Sequence, residues 1–337
     1  MKYIICQEPG TFLLKERDKP VKGRNEALLK VKEIGICGTD LHAYGGNQAF
    51  FTYPRILGHE IGAEIVEIED NDQGLKNGDK VIIMPYISCH KCIACRNGIT
   101  NACTNIQVLG VHTDGAMQEY ITVPNDLLIS AENLNTSEIA IVEPLAIGAH
   151  AIRRADLKDS ETILVVGCGP IGIGIMKLAQ IRGAKVIAMD VSEQRLTYAQ
   201  DEIGVDFIVN ALESPLEKIT DITNGDLANA VFDASGNKRA LESGIQYMSH
   251  GGRYILVGLS KGDLNFNHPS IHAKESSILC SRNATTEDFI NVRDAISTGL
   301  FPTDSFITHR VNFTEMIDHF DQWTQPDNGV IKAMVSF

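Results

Sequence analysis

Four of the eight cysteines fall within one short stretch, and their spacing is that of a metal site. Two residues separate Cys89 from Cys92 and Cys92 from Cys95, and seven more separate Cys95 from Cys103. Four thiolates with these gaps can close a tetrahedral cage within one loop, which suits a structural zinc ion. An iron–sulfur cluster is the alternative, but the ferredoxin run continues with a three-residue gap and a proline. Here the gap is longer and Thr104 follows, so we expect zinc.

A second group of candidate metal ligands is spread over the first half of the chain. Cys37 lies in the segment GICGTDLH, His59 and Glu60 lie in LGHEI, and Glu143 lies in VEPLA. Taken singly, a cysteine or histidine in a β domain is more often a packed core or surface residue than a metal ligand. Together, a thiolate and an imidazole at loop positions leave a coordination position open for substrate, as in catalytic zinc sites. Glu143 comes just before the predicted nucleotide-binding domain and would face the cleft between the two domains, or its charge could merely stabilise the N-terminus of a helix.

A glycine-rich turn lies near the middle of the chain, in the segment TILVVGCGPIGIG that starts at Thr162. The β-branched run before the turn predicts a strand, and the apolar spacing after it predicts a helix. In this context Gly167 permits the tight turn, Gly169 lets the backbone approach a pyrophosphate, and Gly172 lets helix and strand pack closely. Free N–H groups at the helix start would bind the phosphates. The alternative is a tight turn without a ligand.

A carboxylate follows at the distance that this dinucleotide fingerprint requires. A second predicted strand, KVIAM, ends at Asp190, about 20 residues after the glycines. Its carboxylate would accept hydrogen bonds from both adenosine ribose hydroxyls and would repel the additional phosphate of NADP. The strand, the helix and the acid together favour a nucleotide site over a plain turn, and we predict that the cofactor is NAD.

The elements that must position these residues are of two kinds. Residues 1–146 show short strands and glycine or proline turns, which predicts a β-rich domain with a cysteine lobe at about 86–106. Strand and helix patterns alternate over 147–285, as in a doubly wound parallel sheet of the Rossmann type. Residues 286–337 mix both kinds of element, and we expect them to return to the first domain. The predicted fold class is therefore α/β.

Composition limits the partners of this chain. A length of 337 residues suffices for two domains, and a net charge of −13 without a basic stripe argues against nucleic acid or an anionic membrane. The segment Met1–Cys6 reads as a strand rather than a signal peptide, and no apolar run approaches the length of a membrane span. We therefore expect a cytoplasmic protein with a small-molecule substrate.

In this order and spacing, the motifs resemble the zinc-dependent medium-chain dehydrogenase/reductase family over the whole chain. They are GICGTDLH, GHE, the cysteine run, EPLAI and GCGPIG. The similarity is greatest to the polyol, threonine and hexonate dehydrogenases. The segments LGVHTDGA and SRNA look like the branch that oxidises sugar acids such as L-gulonate or L-galactonate at C5. The resemblance implies a GroES-like catalytic domain, a Rossmann domain with the active site between the two, and a homodimer or homotetramer.

The resemblance also implies the ligands of two zinc ions per chain and of NAD. Cys37 and His59 would bind the catalytic zinc, with Glu60 and Glu143 approaching it directly, through water or alternately during turnover. The four lobe cysteines would bind the structural zinc. Beyond the three glycines, the residues expected around NAD are Ile171, Asp190, Arg195, Val257, Gly258, Leu259, Leu279 and Cys280.

A proton relay is implied by the segment GICGTDLH. Thr39 would accept the proton of the substrate hydroxyl and pass it, through the nicotinamide ribose, to His42 and solvent, because the reacting alcohol is buried. Asp40 would hold a ligand imidazole in one tautomer. The zinc would act as a Lewis acid on the alcohol while the carbinol hydride passes to NAD.

Three alternatives follow from the same residues. Sugar-acid members often carry Arg where this chain has Thr113. The planar guanidinium of an Arg would bind a substrate carboxylate through two hydrogen bonds. Arg282 or Arg55 could replace it, or the substrate could be a neutral polyol. L-threonine 3-dehydrogenase shares most motifs and is the rival enzyme. A non-catalytic NAD-binding redox sensor with structural zinc alone is the rival from another class, but it requires a defective catalytic site.

Overall fold

The computed structural model describes residues 1–48, 51–131, 133–325 and 328–337. Within it the chain forms two compact units. The first comprises Met1–Pro144, Thr285–Gly299 and Thr303–Phe337. The second comprises Leu145–Ala284 with Leu300–Pro302.

Strands dominate the first unit, and strands and helices alternate in the second. In chain order the strands are β1 (Lys2–Glu8), β2 (Thr11–Glu16), β3 (Glu26–Ile36), β4 (Glu60–Glu67), β5 (Lys80–Ile83), β6 (Tyr86–Ile87), β7 (Gln107–Val108), β8 (Tyr120–Pro124), β9 (Leu128–Ser130), β10 (Thr162–Val166), β11 (Lys185–Asp190), β12 (Phe207–Asn210), β13 (Ala228–Asp233), β14 (Met248–Leu256), β15 (Ser277–Cys280), β16 (His309–Asn312) and β17 (Ala333–Ser336).

The helices are mostly short. They are α1 (Gly38–Tyr44), α2 (Ile93–Arg96), α3 (Thr136–Ala140), α4 (Val142–Arg154), α5 (Pro170–Ile181), α6 (Glu193–Tyr198), α7 (Pro215–Ile222), α8 (Lys238–Ser243), α9 (His268–Ala273), α10 (Thr286–Ser297), α11 (Thr303–Phe306) and α12 (Met316–Trp323). Short 3₁₀ segments lie at Thr100–Ala102, Asn125–Leu127, Gly244–Tyr247 and Phe313–Glu315, and a π-helical turn, Ala199–Ile203, follows α6.

Strand β3 is the centre of the first unit. The seven-stranded sheet runs β16-β17-β3-β4-β5-β9, and β8 also pairs with β3. Strands β4 and β17 are both antiparallel to β3, with Glu60 opposite Gly35 and Ala333 opposite Ile36. The inward-facing side chains of this sheet share a core with Phe320 of α12. Burying an aromatic side chain of this kind contributes about 1.5–3 kcal/mol. The register in which β4 and β17 pair with β3 therefore brings segments that are far apart in the sequence to one end of β3.

The second unit is a doubly wound parallel sheet. Its strand order is β12-β11-β10-β13-β14-β15, and every pairing is parallel. The order reverses between β10 and β13, where folds of this class leave a crevice for a dinucleotide. Since all six strands point the same way, their carboxyl ends form one edge of the sheet.

The predicted α/β fold class is confirmed, with a β-rich GroES-like unit and a Rossmann-type unit. Among the described residues, none of the helices combines the length and apolar character that a membrane crossing requires.

Candidate active site

The structure brings three of the predicted catalytic-site residues together at the end of β3. Cys37 follows β3 directly, His59 precedes β4, and Glu60 is the first residue of β4. Their ligand atoms lie within 4.8 Å of one another. A Cβ at position 35 would lie 2.0 Å from Oε2 of Glu60, so any side chain other than glycine there would displace this carboxylate. The antiparallel register of β3 and β4 thus brings together a cysteine sulfur, an imidazole and a carboxyl group.

Asp40 forms hydrogen bonds with both of the segments that carry these ligands. Its Oδ2 accepts a hydrogen bond of 2.9 Å from the backbone N–H of Cys37, and its Oδ1 accepts one of 3.2 Å from that of Gly58. Nδ1 of His59 lies 3.8 Å from Oδ1 of Asp40. Burial raises the pKa of Asp40, while His59 and the backbone donors oppose that rise. Asp40 therefore positions the backbone beside both ligands as well as facing the imidazole.

A buried lysine neutralises Glu60. Nζ of Lys332 lies 2.6 Å from both carboxylate oxygens of Glu60 and donates to the carbonyl of Ile36 at 3.1 Å. Both side chains are fully buried. Burial would lower the pKa of Lys332, but the charge of Glu60 and that of Cys37 raise it, so the amine stays charged. Lys332 directly precedes β17, so the pairing of β17 with β3 places its ammonium group beside the cluster.

Glu143 stands beside this cluster rather than within it. It lies in the first turn of α4 and is almost fully buried, and its Oε1 accepts a hydrogen bond from the phenol of Tyr86. Burial raises the pKa of Glu143 to about 6, although the charge of His59 opposes the shift. Its own charge helps to raise the pKa of His59, which burial alone would lower. Glu143 is therefore an acid close to the imidazole with one oxygen already engaged.

The two relay residues lie on α1, the helix that begins after Cys37. Thr39 is half-buried in its first turn, and His42 is exposed near its end. Because they are three residues apart on a helix, they share one face. This arrangement would suit transfer of a proton from a buried position to solvent.

The cysteine lobe forms a second ligand cluster. The sulfur atoms of Cys89, Cys92, Cys95 and Cys103 lie within 4.8 Å of one another. Backbone N–H groups, that of Cys95 foremost, lower the pKa of Cys92 to about 5, which favours the thiolate that a metal requires. Burial raises the pKa of Cys95 to about 11.

Both clusters fit the zinc ions that the sequence predicts. Four clustered sulfurs are the donor set of a closed structural site. A sulfur, an imidazole and a carboxylate within 4.8 Å form a three-ligand set of the kind that keeps one position open. Nδ1 of His59 faces Oδ1 of Asp40 at 3.8 Å, and a carboxylate is the usual partner of the second ring nitrogen of a metal-binding imidazole.

In the second unit, the three glycines form the turn between β10 and α5. Gly167 has a φ of +96°, which favours glycine, and a Cβ there would lie 3.0 Å from Ser235 at the start of the loop after β13. A Cβ at Gly172 would lie 1.8 Å from the carbonyl oxygen of Gly167. A Cβ at Gly169 would meet only Nη1 of Arg195, at 3.9 Å. An added side chain would thus meet neighbouring backbone at Gly167 and Gly172, whereas the space beside Gly169 is almost empty.

The other predicted NAD residues lie along the same carboxyl edge of the sheet. Asp190 ends β11, and its two oxygens accept hydrogen bonds from the backbone of Cys168 (2.7 Å) and Ser192 (2.9 Å). Asp233, at the end of β13, accepts backbone hydrogen bonds at its carbonyl from Val257 and Gly258. The remaining predicted residues of this edge are Ile171, Arg195, Leu259, Leu279 and Cys280.

Sequence reasoning missed Tyr86, Lys332 and Asp233. Tyr86 lies three residues before the cysteine run, and Lys332 lies directly before β17. A lysine in an otherwise apolar segment, IKAMV, was the one available signal for a buried cation.

The fold and the two clusters define a zinc- and nicotinamide-dependent oxidoreductase. Residues 23–133 match the alcohol dehydrogenase GroES-like domain, and residues 170–298 match the zinc-binding dehydrogenase family. The chain belongs to the zinc-dependent medium-chain dehydrogenase family, which confirms the resemblance read from its motifs.

Individual relatives cover the chain almost completely. L-galactonate-5-dehydrogenase of Escherichia coli K12 is 41% identical over 100% of this chain and 99% of its own length. L-threonine 3-dehydrogenase of Pyrococcus horikoshii is 32% identical over 92% of this chain and 91% of its own length. A crystal structure described as alcohol dehydrogenase rspB of E. coli CFT073, complexed with NADH, superimposes with a TM-score of 0.93 at 30% identity, covering 100% of this chain and 99% of that one.

Proposed function

We propose that this enzyme oxidises a secondary alcohol of a sugar acid, of the L-galactonate or L-gulonate type, to the ketone with NAD as hydride acceptor. The observation that carries the proposal is the full-length similarity to L-galactonate-5-dehydrogenase, at 41% identity against 32% for L-threonine 3-dehydrogenase. The assembled cluster of Cys37, His59 and Glu60 supports turnover. A redox sensor without catalysis would not need that cluster.

We assign the catalytic zinc to Cys37, His59 and Glu60, where it would supply Lewis acidity to the substrate hydroxyl. Thr39 would accept the hydroxyl proton and His42 would release it to water. Asp190 would bind the adenosine ribose, and the glycine turn would bind the pyrophosphate. The four lobe cysteines would hold the structural zinc, which accords with a reducing cytoplasm. We also expect a homodimer or homotetramer, by analogy with the family.

Arg55 is a candidate for the substrate carboxylate in place of the Arg that relatives carry at position 113. Its Nη1 lies 3.5 Å from Oδ1 of Asp114, and its Nη2 donates to Thr52 at 3.1 Å. Its buried Nε has no hydrogen-bond partner among the described residues, and the same holds for Oγ1 of Thr113. The guanidinium of Arg55, which faces Asp114, is therefore the group to test for binding of a substrate carboxylate.

The test is NADH formation by zinc-loaded enzyme with L-galactonate, L-gulonate, L-idonate, sorbitol, xylitol and L-threonine. We expect one hexonate to exceed the neutral polyols and threonine in kcat/KM. Cys37→Ala should lower kcat about 1000-fold or more, because Lewis acidity contributes several kcal/mol, while NADH binding is kept. Turnover of polyols alone would show that Thr113 marks a change of substrate, and turnover of threonine would favour the rival enzyme.

A further inference from the structure

The two buried carboxylates of the catalytic cluster have different partners. Both oxygens of Glu60 contact Nζ of Lys332, so a full positive charge compensates this acid. Glu143 receives a hydrogen bond from the neutral phenol of Tyr86 at one oxygen. A buried carboxylate without a full counter-charge is costly, and it is drawn towards any nearby cation. Glu143 is the less compensated acid of the two.

Tyr86 is held firmly in place. Its backbone pairs with Val108 in the β6–β7 ladder, and its ring packs edge-on against Phe289 of α10 with centroids 6.1 Å apart. Tyr86 is 4% exposed and Phe289 is completely buried. Since neither the ladder nor the ring contact involves the hydroxyl, the phenol can be removed while the ring keeps its packing.

Glu143 is near the ligand cluster but outside it. The group of ligand atoms within 4.8 Å of one another includes Cys37, His59 and Glu60, and Glu143 is not a member. A change of side-chain rotamer that carried its carboxylate to a metal held by the other three would have to break the hydrogen bond from Tyr86.

We propose that Tyr86 is a positioning residue that holds Glu143 off the metal, so that the open coordination position stays available to the substrate hydroxyl. The proposal rests on the proposed function, because it requires the catalytic zinc at Cys37, His59 and Glu60. Without the phenol, Glu143 would turn to the metal, become a ligand and compete with the alcohol.

The experiment compares wild-type enzyme with Tyr86→Phe after cobalt replaces the catalytic zinc. In the substrate-free variant the cobalt d–d bands should weaken and shift, because an added carboxylate raises the coordination number. KM for the alcohol should rise about tenfold, and the Kd of NADH should change less than twofold. Affinity of the site for cobalt should rise, whereas a purely structural defect would lower it. Tyr53→Phe, which removes a phenol bonded to the carbonyl of Ala43 in the same unit, should leave all four measurements unchanged.

An unchanged spectrum and KM in folded Tyr86→Phe would overturn the proposal. If that variant does not fold, Glu143→Gln decides: the proposal requires an unchanged substrate-free cobalt spectrum, since Glu143 is not a ligand in the wild type. A changed spectrum would show direct ligation and refute it. Absence of cobalt bands in the wild type itself, with the cysteine lobe loaded, would instead contradict the proposed catalytic site.

Discussion

Asp190 is an acid whose position is set by the backbone around it. Each of its oxygens accepts one backbone N–H, from the glycine turn on one side and from the start of α6 on the other. A carboxylate oxygen can accept a second hydrogen bond, so both remain able to bind a ribose hydroxyl. The acid therefore presents a fixed pair of acceptors at the carboxyl end of β11.

Asp190→Ala should weaken NADH binding about 10- to 100-fold, because hydrogen bonds to a charged group contribute roughly 1.5–3 kcal/mol. NADPH binding should weaken less, since the repulsion of its extra phosphate is also removed. Fluorescence titration with both nucleotides measures the ratio. Asp201→Ala, at an exposed acid of the π-helical turn, is the control. A ratio equal to that of the wild type would exclude Asp190 from cofactor selection.

The glycine turn shows how two neighbouring positions of one element can have separate tasks. At Gly172 an added Cβ would collide with the backbone of Gly167, whereas at Gly169 it would meet only a flexible arginine. Gly172 is therefore needed for the packing of α5 on β10. Gly169 leaves room at the start of α5, where a phosphate would approach the free N–H groups.

Gly172→Ala and Gly169→Ala should consequently have opposite effects. Gly172→Ala should lose stability by about 1–3 kcal/mol or more through overpacking, seen as a lower urea midpoint. Gly169→Ala should keep the wild-type midpoint and lose NADH affinity, because the methyl group occupies the space of the pyrophosphate. Equal midpoints for both variants would contradict this division of tasks.

Elements were easier to predict than the contacts between them. The glycine turn, Asp190 and the cysteine lobe could be read from sequence because each is a local pattern whose spacing reflects its geometry. The partnership of Tyr86 with Glu143 spans 57 residues, and that of Lys332 with Glu60 spans 272. The first contact joins β6 to helix α4, and the second depends on the pairing of β17 with β3, so neither is a local pattern of the sequence. Burial of a lysine also runs against its usual preference, so no sequence pattern assigned Lys332 to the site.

At the scale of the molecule, the first unit is assembled from segments far apart in the chain. Strand β17 lies between β16 and β3, and Lys332 beside it is the counter-charge of Glu60. Removing one partner of a buried ion pair leaves an uncompensated charge, which typically costs about 3–5 kcal/mol. Stability of this unit and integrity of the catalytic cluster are therefore linked.

Lys332→Met should destabilise the zinc-depleted enzyme by about 3–5 kcal/mol in urea unfolding. Zinc should recover part of that loss, because a bound cation compensates Glu60 and stabilises the folded state by mass action. Lys30→Met, at an exposed lysine of β3, should have little effect with or without zinc. If zinc gave the same stabilisation to Lys332→Met as to the wild type, the lysine and the metal would not share Glu60.

The pairing of β17 with β3 also sets an order of events during synthesis. The ribosome makes β17 about 300 residues after β3, a delay of roughly 15–60 s at usual elongation rates. The second unit is almost continuous in sequence and can fold within that interval. The first must wait, with Glu33–Ile36 of β3 lacking their partner strand and Glu60 lacking its cation. A nascent chain would thus acquire its nucleotide-binding fold before its metal-binding one, and a prematurely terminated chain would carry a nucleotide site without a finished catalytic centre.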